Sequence, residues 1–197
     1  ANELAFSLIP RGGGTGITGG SIPAAQRSVI LSLSKFKEIL NIDRSTMSLC
    51  AQAGVITLDA TKAAAQQDLL FTVDPASKAG SSLGGNVAEN AGGPMAFEYG
   101  TTLDNIQSYK MVTPTGEIIQ VTRRDHPGHK ILQNEVALFD IHDDQGQLLR
   151  TIELPGDQIR GPKLGKDVTN KFLGGLPGVQ KEGVDGIITE ACFCLYP

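Results

Sequence analysis

The sequence lacks the features of several protein classes. Its net charge is −4, so it has no basic field that would attract nucleic acid or an anionic membrane surface. No apolar run approaches the roughly 18 residues that a membrane span requires. The start of the chain does not have the basic region followed by an apolar region that is typical of a signal peptide. We therefore expect neither a nucleic-acid partner nor a membrane span.

Cysteine and histidine are also scarce, with three residues of each. The cysteines lie in apolar contexts without CxxC spacing, which favours free thiols packed in the core of a cytoplasmic protein; peripheral attachment at the inner face of the membrane is the alternative location. No carboxylate or cysteine accompanies the histidines at metal-ligand spacing, so we expect surface-loop histidines and no metal. These residues are Cys50, Cys192, Cys194, His126, His129 and His142.

Glycine, by contrast, is abundant. The 24 glycines are concentrated at 12–20, 80–93 and 174–186 without a collagen-like period, which indicates special backbone conformations. The length of 197 residues allows one core, or two small lobes that share one core.

Hydrophobic patterns and turn residues predict mixed secondary structure. Residues 36–42 fit a strand or a helix, and we favour a strand. A helix at 57–67 would be capped by Thr57. Turns rich in Pro, Gly and Asp predict two β-hairpins. The predicted strands are 28–33, 36–42, 48–53, 106–112, 117–121, 136–141, 147–154 and 186–195.

The first glycine cluster reads PRGGGTGITGG from Pro10 to Gly20. Successive glycines let backbone N–H groups converge on an anion, as a pyrophosphate requires. The cluster is not a Walker loop, since no Gly-Lys-Ser/Thr closes it. It is not a Rossmann fingerprint either, since no clear strand, following helix and ribose-binding acid frame it. Taken alone, such a run is equally often a flexible turn.

A second segment strengthens the ligand hypothesis. It runs from DPAS at 74–77 through GSSLGGNVAENAGG at 80–93 to YGTTLDN at 99–105. Small residues here would let the backbone lie against a flat aromatic ligand, and Asn and Ser side chains could bond ring carbonyls. Residues 92–93 could end a short helix. The segment therefore indicates a large planar cofactor.

With a third segment, QKEGVDGIITE at 180–190, the chain resembles the FAD-binding domain of the vanillyl-alcohol oxidase or PCMH type, also described as the FAD-linked oxidase N-terminal domain. The resemblance is closest to its glycolate oxidase, D-lactate dehydrogenase and D-2-hydroxyacid dehydrogenase branch. In that family a PRGxGTGxxGG loop holds the FAD pyrophosphate, the second segment lines the flavin, and the third meets the adenine side. Two residues depart from the family pattern: Lys181 replaces a small hydroxyl residue, and Asp185 replaces an apolar one.

The resemblance implies an α+β fold with a small mixed α/β lobe and a larger, mainly antiparallel sheet lobe with flanking helices. FAD would lie between the lobes, and it would be bound noncovalently because the glycine loop has no histidine. No catalytic or metal-binding residue is assigned. The expected FAD-binding residues are Arg11, Gly12, Gly13, Gly14, Thr15, Gly16, Pro75, Gly80, Ser81, Gly84, Gly85, Asn86, Asn90, Gly92, Tyr99, Gly100, Glu182, Gly183, Gly186 and Ile188.

The resemblance also implies that residues 1–197 form the FAD-binding domain of a longer enzyme whose cap, with the substrate site, lies elsewhere. Residues 123–176, which include a hairpin and the segment GPKLGKDVTNKFLGG, would be an insertion, as in multidomain relatives that carry iron–sulfur modules. Residues 123–170 would be dispensable for flavin contact. The expected reaction is hydride transfer to FAD from a D-lactate, glycolate or D-2-hydroxyglutarate type acid, with an iron–sulfur module or quinone as acceptor. The alternatives are a FAD module that only transfers electrons or acts as a scaffold, and a UDP-sugar reductase of the same superfamily.

Overall fold

The structure is a computed structural model, and it describes residues 3–160 and 176–197. A two-stranded parallel sheet contains β1 and β2, and a seven-stranded sheet has the order β3-β4-β9-β5-β6-β7-β8, with every neighbouring pair antiparallel. The strands are β1 (Ser7–Arg11), β2 (Ser28–Ser32), β3 (Ile39–Asp43), β4 (Ser48–Gln52), β5 (Ile106–Val112), β6 (Ile118–Arg124), β7 (Val136–Asp143), β8 (Leu148–Pro155) and β9 (Ile187–Cys194).

Five short helices accompany the sheets in the described residues. They are α1 (Thr57–Ala65), α2 (Leu83–Glu89), α3 (Ala96–Tyr99), α4 (Thr102–Asn105) and α5 (Gly156–Ile159). The predicted α+β fold with a large antiparallel sheet and flanking helices is confirmed. None of the helices in residues 3–160 and 176–197 is long and apolar enough to cross a membrane.

Local turn chemistry forms both hairpins where the sequence predicts them. Between β5 and β6, the N–H of Gly116 donates to the carbonyl of Thr113 at 2.9 Å. Between β7 and β8, the carboxylate of Asp143 accepts from the N–H groups of Gln145 and Gln147 at 3.0 and 2.8 Å. An Asp side chain that bonds the following backbone in this way stabilises a tight reversal.

The second hairpin is part of the main sheet. Strand β7 pairs with β6 in register from Ile119↔Asp143 to Arg124↔Leu138. Its side chains Phe139 and Ile141 are buried in the same core cluster as the central strands. The hairpin therefore extends the seven-stranded sheet, and its status as an insertion stays a prediction. The segment GPKLGKDVTNKFLGG lies outside the described residues.

The core fills the space between one face of the seven-stranded sheet and the helices. Leu49 and Phe193 face each other across β4 and β9, and both are fully buried. The ring of Phe71 packs edge-on against Phe193 with centroids 5.3 Å apart. Burying a large apolar side chain contributes about 1.5–3 kcal/mol to folding, so this cluster holds the sheet against the elements that carry the glycine-rich segments.

Three sequence-based expectations were wrong. A strand, β1, does lead into the glycine loop, although its residues showed no clear strand pattern. Thr57 does not cap α1: Ile56 holds the N-cap position, because the Thr57 hydroxyl is engaged with Ser81, 24 residues away.

The third wrong expectation concerns the free thiols. Cys50 and Cys192 form a disulfide, because the antiparallel register of β4 and β9 places them directly opposite each other. Cys194 remains a free, buried thiol.

Candidate flavin site

A groove runs between the glycine loop and α2 and encloses about 530 Å³. This volume falls within the range of about 300–1,000 Å³ that is usual for small-molecule sites. Glu89 and Glu182 are the only ionisable residues in the described lining, and neither His nor Cys is among them. The lining consists of Pro10, Gly12, Gly13, Gly14, Thr15, Gly16, Ile17, Gly20, Ser21, Leu33, Pro75, Ala76, Ser77, Ser81, Ser82, Gly84, Gly85, Asn86, Ala88, Glu89, Asn90, Ala91, Gly92, Gly178, Glu182, Gly183, Gly186 and Ile188.

The glycine loop offers a row of unused backbone donors. Residues 13–16 all line the groove, and none of their N–H groups donates a hydrogen bond to another described residue. Gly14 has a φ of +67°, a left-handed conformation that costs glycine little. Successive N–H groups around such a residue form a concave site for an anion. The loop therefore has the geometry that a pyrophosphate requires.

The two walls of the groove meet in direct backbone contact. A Cβ placed on Gly13 would overlap the carbonyl of Gly80, and one on Gly12 would overlap the hydroxyl of Ser82. The Thr18 hydroxyl also reaches Glu89 at the end of α2, at 3.5 Å. Glycine is thus required at Gly12 and Gly13, because a side chain at either position would push the glycine loop away from the opposite wall of the groove.

The wall formed by residues 80–92 is held from behind by Thr57. Its hydroxyl lies 2.8 Å from the Ser81 hydroxyl and accepts a hydrogen bond from Asn86 Nδ2 at 2.8 Å. Thr57, Ser81 and Asn86 are all buried. Sequence reasoning gave Thr57 only a helix-capping role, and no local pattern pointed to this contact.

Helix α2 ends at Asn90, whose side chain is already engaged. Asn90 has a φ of +49°, and its Oδ1 accepts from the N–H of Leu103 at 2.8 Å while its Nδ2 donates to Gln180 at 3.2 Å. Gln180 takes one of the two amide hydrogens of Asn90, so the expectation that such amides bond ring carbonyls stays a prediction at Asn90, whose side chain also shapes the wall.

The third glycine segment closes the far end of the groove. Its backbone is tied to α2 by hydrogen bonds from Gln180 N to Val87 O at 3.2 Å and from Glu182 N to Ala88 O at 2.9 Å. Asp185, one of the two departures from the family pattern, accepts from the N–H of Gly178 at 2.9 Å. This carboxylate therefore supports the backbone beside the groove.

Four of the expected FAD-binding residues lie outside the groove lining. A Cβ on Gly14 would lie 3.0 Å from Nε of Arg11, so the Arg11 guanidinium flanks the loop. Gly80 lies directly behind Gly13. Tyr99 packs on Tyr196 with ring centroids 4.6 Å apart, and Gly100 packs against Asp104. The other sixteen line the groove; their contacts with a cofactor stay predictions.

Comparisons with known proteins agree with this geometry. Residues 1–122 match the FAD binding domain family. Over 185 residues the chain is 34% identical to the glycolate oxidase subunit GlcD of Escherichia coli (strain K12), covering 93% of this chain and 35% of that protein. Over 120 residues it is 38% identical to the D-lactate dehydrogenase of Anaerostipes hadrus, covering 61% of this chain and 25% of that protein.

A similar solved structure is that of an alkyldihydroxyacetonephosphate synthase, with a TM-score of 0.64 and 26% identity, covering 100% of this chain and 28% of the other. The chain spans about a third of the length of the glycolate oxidase subunits that it matches. Family match, relatives and groove agree on one cofactor. The chain belongs to the FAD binding domain family, in the branch of FAD-linked oxidoreductases that includes glycolate oxidase and D-lactate dehydrogenase, and its cofactor is FAD.

Proposed function

We propose that this chain is the FAD-binding part of an enzyme that oxidises a small 2-hydroxy acid of the D-lactate, glycolate or D-2-hydroxyglutarate type. The observation that carries the proposal is the glycine loop at residues 13–16, which lines a groove of suitable volume and whose N–H groups donate to no other described residue. Relatives named for glycolate oxidation, D-lactate dehydrogenation and D-2-hydroxyglutarate dehydrogenation support the substrate class.

Each wall of the groove has a separate role in holding the cofactor. The backbone of residues 13–16 would bind the pyrophosphate, because unpaired N–H groups favour an anion. The small residues of 80–92 would lie along the isoalloxazine, and residues 182–188 would meet the adenine side. No His or Cys is present in the described lining to form a covalent link, so these residues would hold FAD noncovalently.

When bound, FAD would supply the redox chemistry, which is acceptance of a hydride from the substrate carbon that carries the hydroxyl group. This chain supplies binding and orientation. The described lining contains no Arg, Lys or His to hold a substrate carboxylate. We therefore assign substrate binding and proton transfer to another part of the enzyme. An iron–sulfur module or a quinone as electron acceptor is part of the same proposal.

The cytoplasmic location stays a prediction. It was based on free thiols, and the Cys50–Cys192 disulfide removes that basis.

The test uses the intact protein. Heat-released cofactor should co-migrate with FAD on chromatography. Under anaerobic conditions one acid from a panel of D- and L-2-hydroxy acids should bleach the flavin absorbance. Release of FMN would contradict the cofactor assignment. Bleaching by dithionite but by no acid would favour the electron-transfer or scaffold alternative, and bleaching by a nicotinamide cofactor would favour the reductase alternative.

A further inference from the structure

Asp104 is a fully buried carboxylate at which contacts from distant segments converge. It has no exposed surface. Its Oδ2 accepts hydrogen bonds from the N–H and hydroxyl of Thr101 at 2.7 and 3.2 Å, which caps α4. Its Oδ1 accepts from the N–H of Ile131 at 2.8 Å and is paired with the Arg160 guanidinium. The Arg160 side chain is itself only 8% exposed.

The backbone carbonyl of Asp104 adds two more contacts with the segment 123–160. It accepts from Arg123 Nη1 at 2.8 Å and from His126 Nε2 at 2.7 Å. Arg160 also donates from Nε to the carbonyl of Ile131 at 2.9 Å. These side-chain contacts between the segment that carries β7 and β8 and the rest of the domain therefore converge on one residue, in addition to the pairing of β7 with β6.

On its other side, α4 is bonded to the wall of the groove. The N–H and the hydroxyl of Thr102 donate to the carbonyl of Ala91 at 2.9 and 2.8 Å, and the N–H of Leu103 donates to Asn90 Oδ1 at 2.8 Å. Both Asn90 and Ala91 line the groove. A continuous set of hydrogen bonds thus runs from Arg160 through Asp104 and α4 to the site.

We propose that Asp104 is a positioning residue through which the segment 123–160, with Arg160 as the required counter-charge, sets the groove wall at Asn90 and Ala91. The segment thereby controls FAD binding although none of its residues in the described structure lines the groove. The proposal rests on the assignment of the groove as the FAD site.

The physical reason is the cost of an uncompensated buried charge. Removing one partner of a buried ion pair is strongly destabilising, because the remaining charge has neither water nor a counter-ion. Without Arg160, the Asp104 carboxylate loses its ion-pair partner, since the nearby Arg123 donates to its backbone carbonyl, and it must draw in water. The water weakens its bonds to Thr101, which begin α4, and so loosens the helix that holds Asn90 and Ala91.

The experiment measures FAD affinity and the visible circular dichroism of bound FAD in the intact protein. The variants are Arg160→Met, Asp104→Asn and the double variant. Arg160→Met should weaken FAD binding by about tenfold or more and change the dichroism. The double variant should bind FAD more tightly than Arg160→Met alone, because the buried carboxylate that lost its ion-pair partner is removed. Arg160→Lys, which keeps the charge, should recover part of the affinity and remains testable if Arg160→Met does not fold.

The matched control is the ion pair between Arg124 and Asp140. It joins β6 and β7 in the same segment with bonds of 2.9 and 2.6 Å. It lies at the surface, and within the described residues its hydrogen bonds reach only β6, β7 and Thr151 on β8. Arg124→Gln with Asp140→Asn should leave FAD affinity within about twofold of the wild type.

Unchanged FAD affinity and dichroism in folded Arg160→Met and Arg160→Lys would overturn the proposal. So would a double variant whose loss of FAD affinity equals the sum of the losses in Arg160→Met and Asp104→Asn. Failure of the wild-type protein to bind FAD would instead remove the proposed site, so the two failures are distinguishable.

Discussion

Cys50 and Cys192 lie directly opposite each other on β4 and β9, with their Cα atoms 4.0 Å apart, and are joined by a disulfide. Cys194 stays free, and burial raises the pKa of its thiol to about 11. This thiol is therefore protonated at neutral pH, and a protonated thiol is a poor nucleophile.

The disulfide predicts the thiol content of the protein as purified without reductant. In denaturant, one thiol should react per chain before reduction and three after it. Replacing both Cys50 and Cys192 with Ala should lower the free energy of unfolding by about 2–4 kcal/mol, because the bond constrains the unfolded chain. Cys194→Ala serves as the control, since it should leave the disulfide intact. Three reactive thiols before reduction would contradict the pairing.

Gly13→Ala should remove FAD binding. The added Cβ would overlap the Gly80 carbonyl, so the glycine loop must move away from the opposite wall. Gly19→Ala is the control: a Cβ there meets no atom within 4 Å, although the φ of +92° should cost about 1 kcal/mol of stability. Equilibrium dialysis with FAD and urea unfolding separate the two effects. Wild-type affinity in Gly13→Ala would show that the close approach is not needed for the cofactor.

His126 makes stability depend on pH. Burial, followed by the nearby Arg123 charge, lowers its pKa from 6.5 to about 4. The neutral ring donates from Nε2 to the Asp104 carbonyl and accepts the N–H of Gly128 at Nδ1 at 3.0 Å. In the unfolded chain the pKa of His126 is higher, so the unfolded state binds more protons than the folded state between pH 4 and pH 6.5. The stabilising contribution is complete above about pH 6.5 and is lost as the pH falls towards 4.

Between pH 7.5 and pH 5 the loss should amount to at most about 2 kcal/mol. Urea unfolding at these two pH values measures it. His126→Gln, which keeps a donor and an acceptor but takes up no proton, should show a smaller difference between the two pH values. An equal pH dependence in His126→Gln and the wild type would assign the effect to other groups.

The 197-residue chain expressed alone should not oxidise 2-hydroxy acids. Glu89 and Glu182 are the only ionisable groups in the described groove lining, so no cation is available there to orient a substrate carboxylate. Positioning and proton transfer together account for many orders of magnitude in rate. The assay mixes the chain with FAD, a dye acceptor and D- and L-2-hydroxy acids. Turnover above a flavin-only control would mean that a complete active site lies within these residues.

Local chemistry explains what the sequence predicted correctly. Asp143 and Gly116 act within a few residues of their own positions, so both hairpins could be recognised from their turns. The glycine loop at 12–16 likewise functions through its own backbone. Because such features depend on neighbouring residues only, the order of three glycine-rich segments was sufficient to indicate the family, the fold and FAD.

Contacts between residues far apart in the chain were decided only by the tertiary structure. Cys192 and Cys194 lie on the same side of β9, and the register alone pairs Cys50 with Cys192 while Cys194 lies opposite Ser48. The Thr57 hydroxyl bonds Ser81 instead of capping its own helix. Asp104 joins Arg160, 56 residues later, to the groove wall. A one-step change in strand register or helix packing would give each of these side chains a different partner, and no pattern of neighbouring residues encodes that choice.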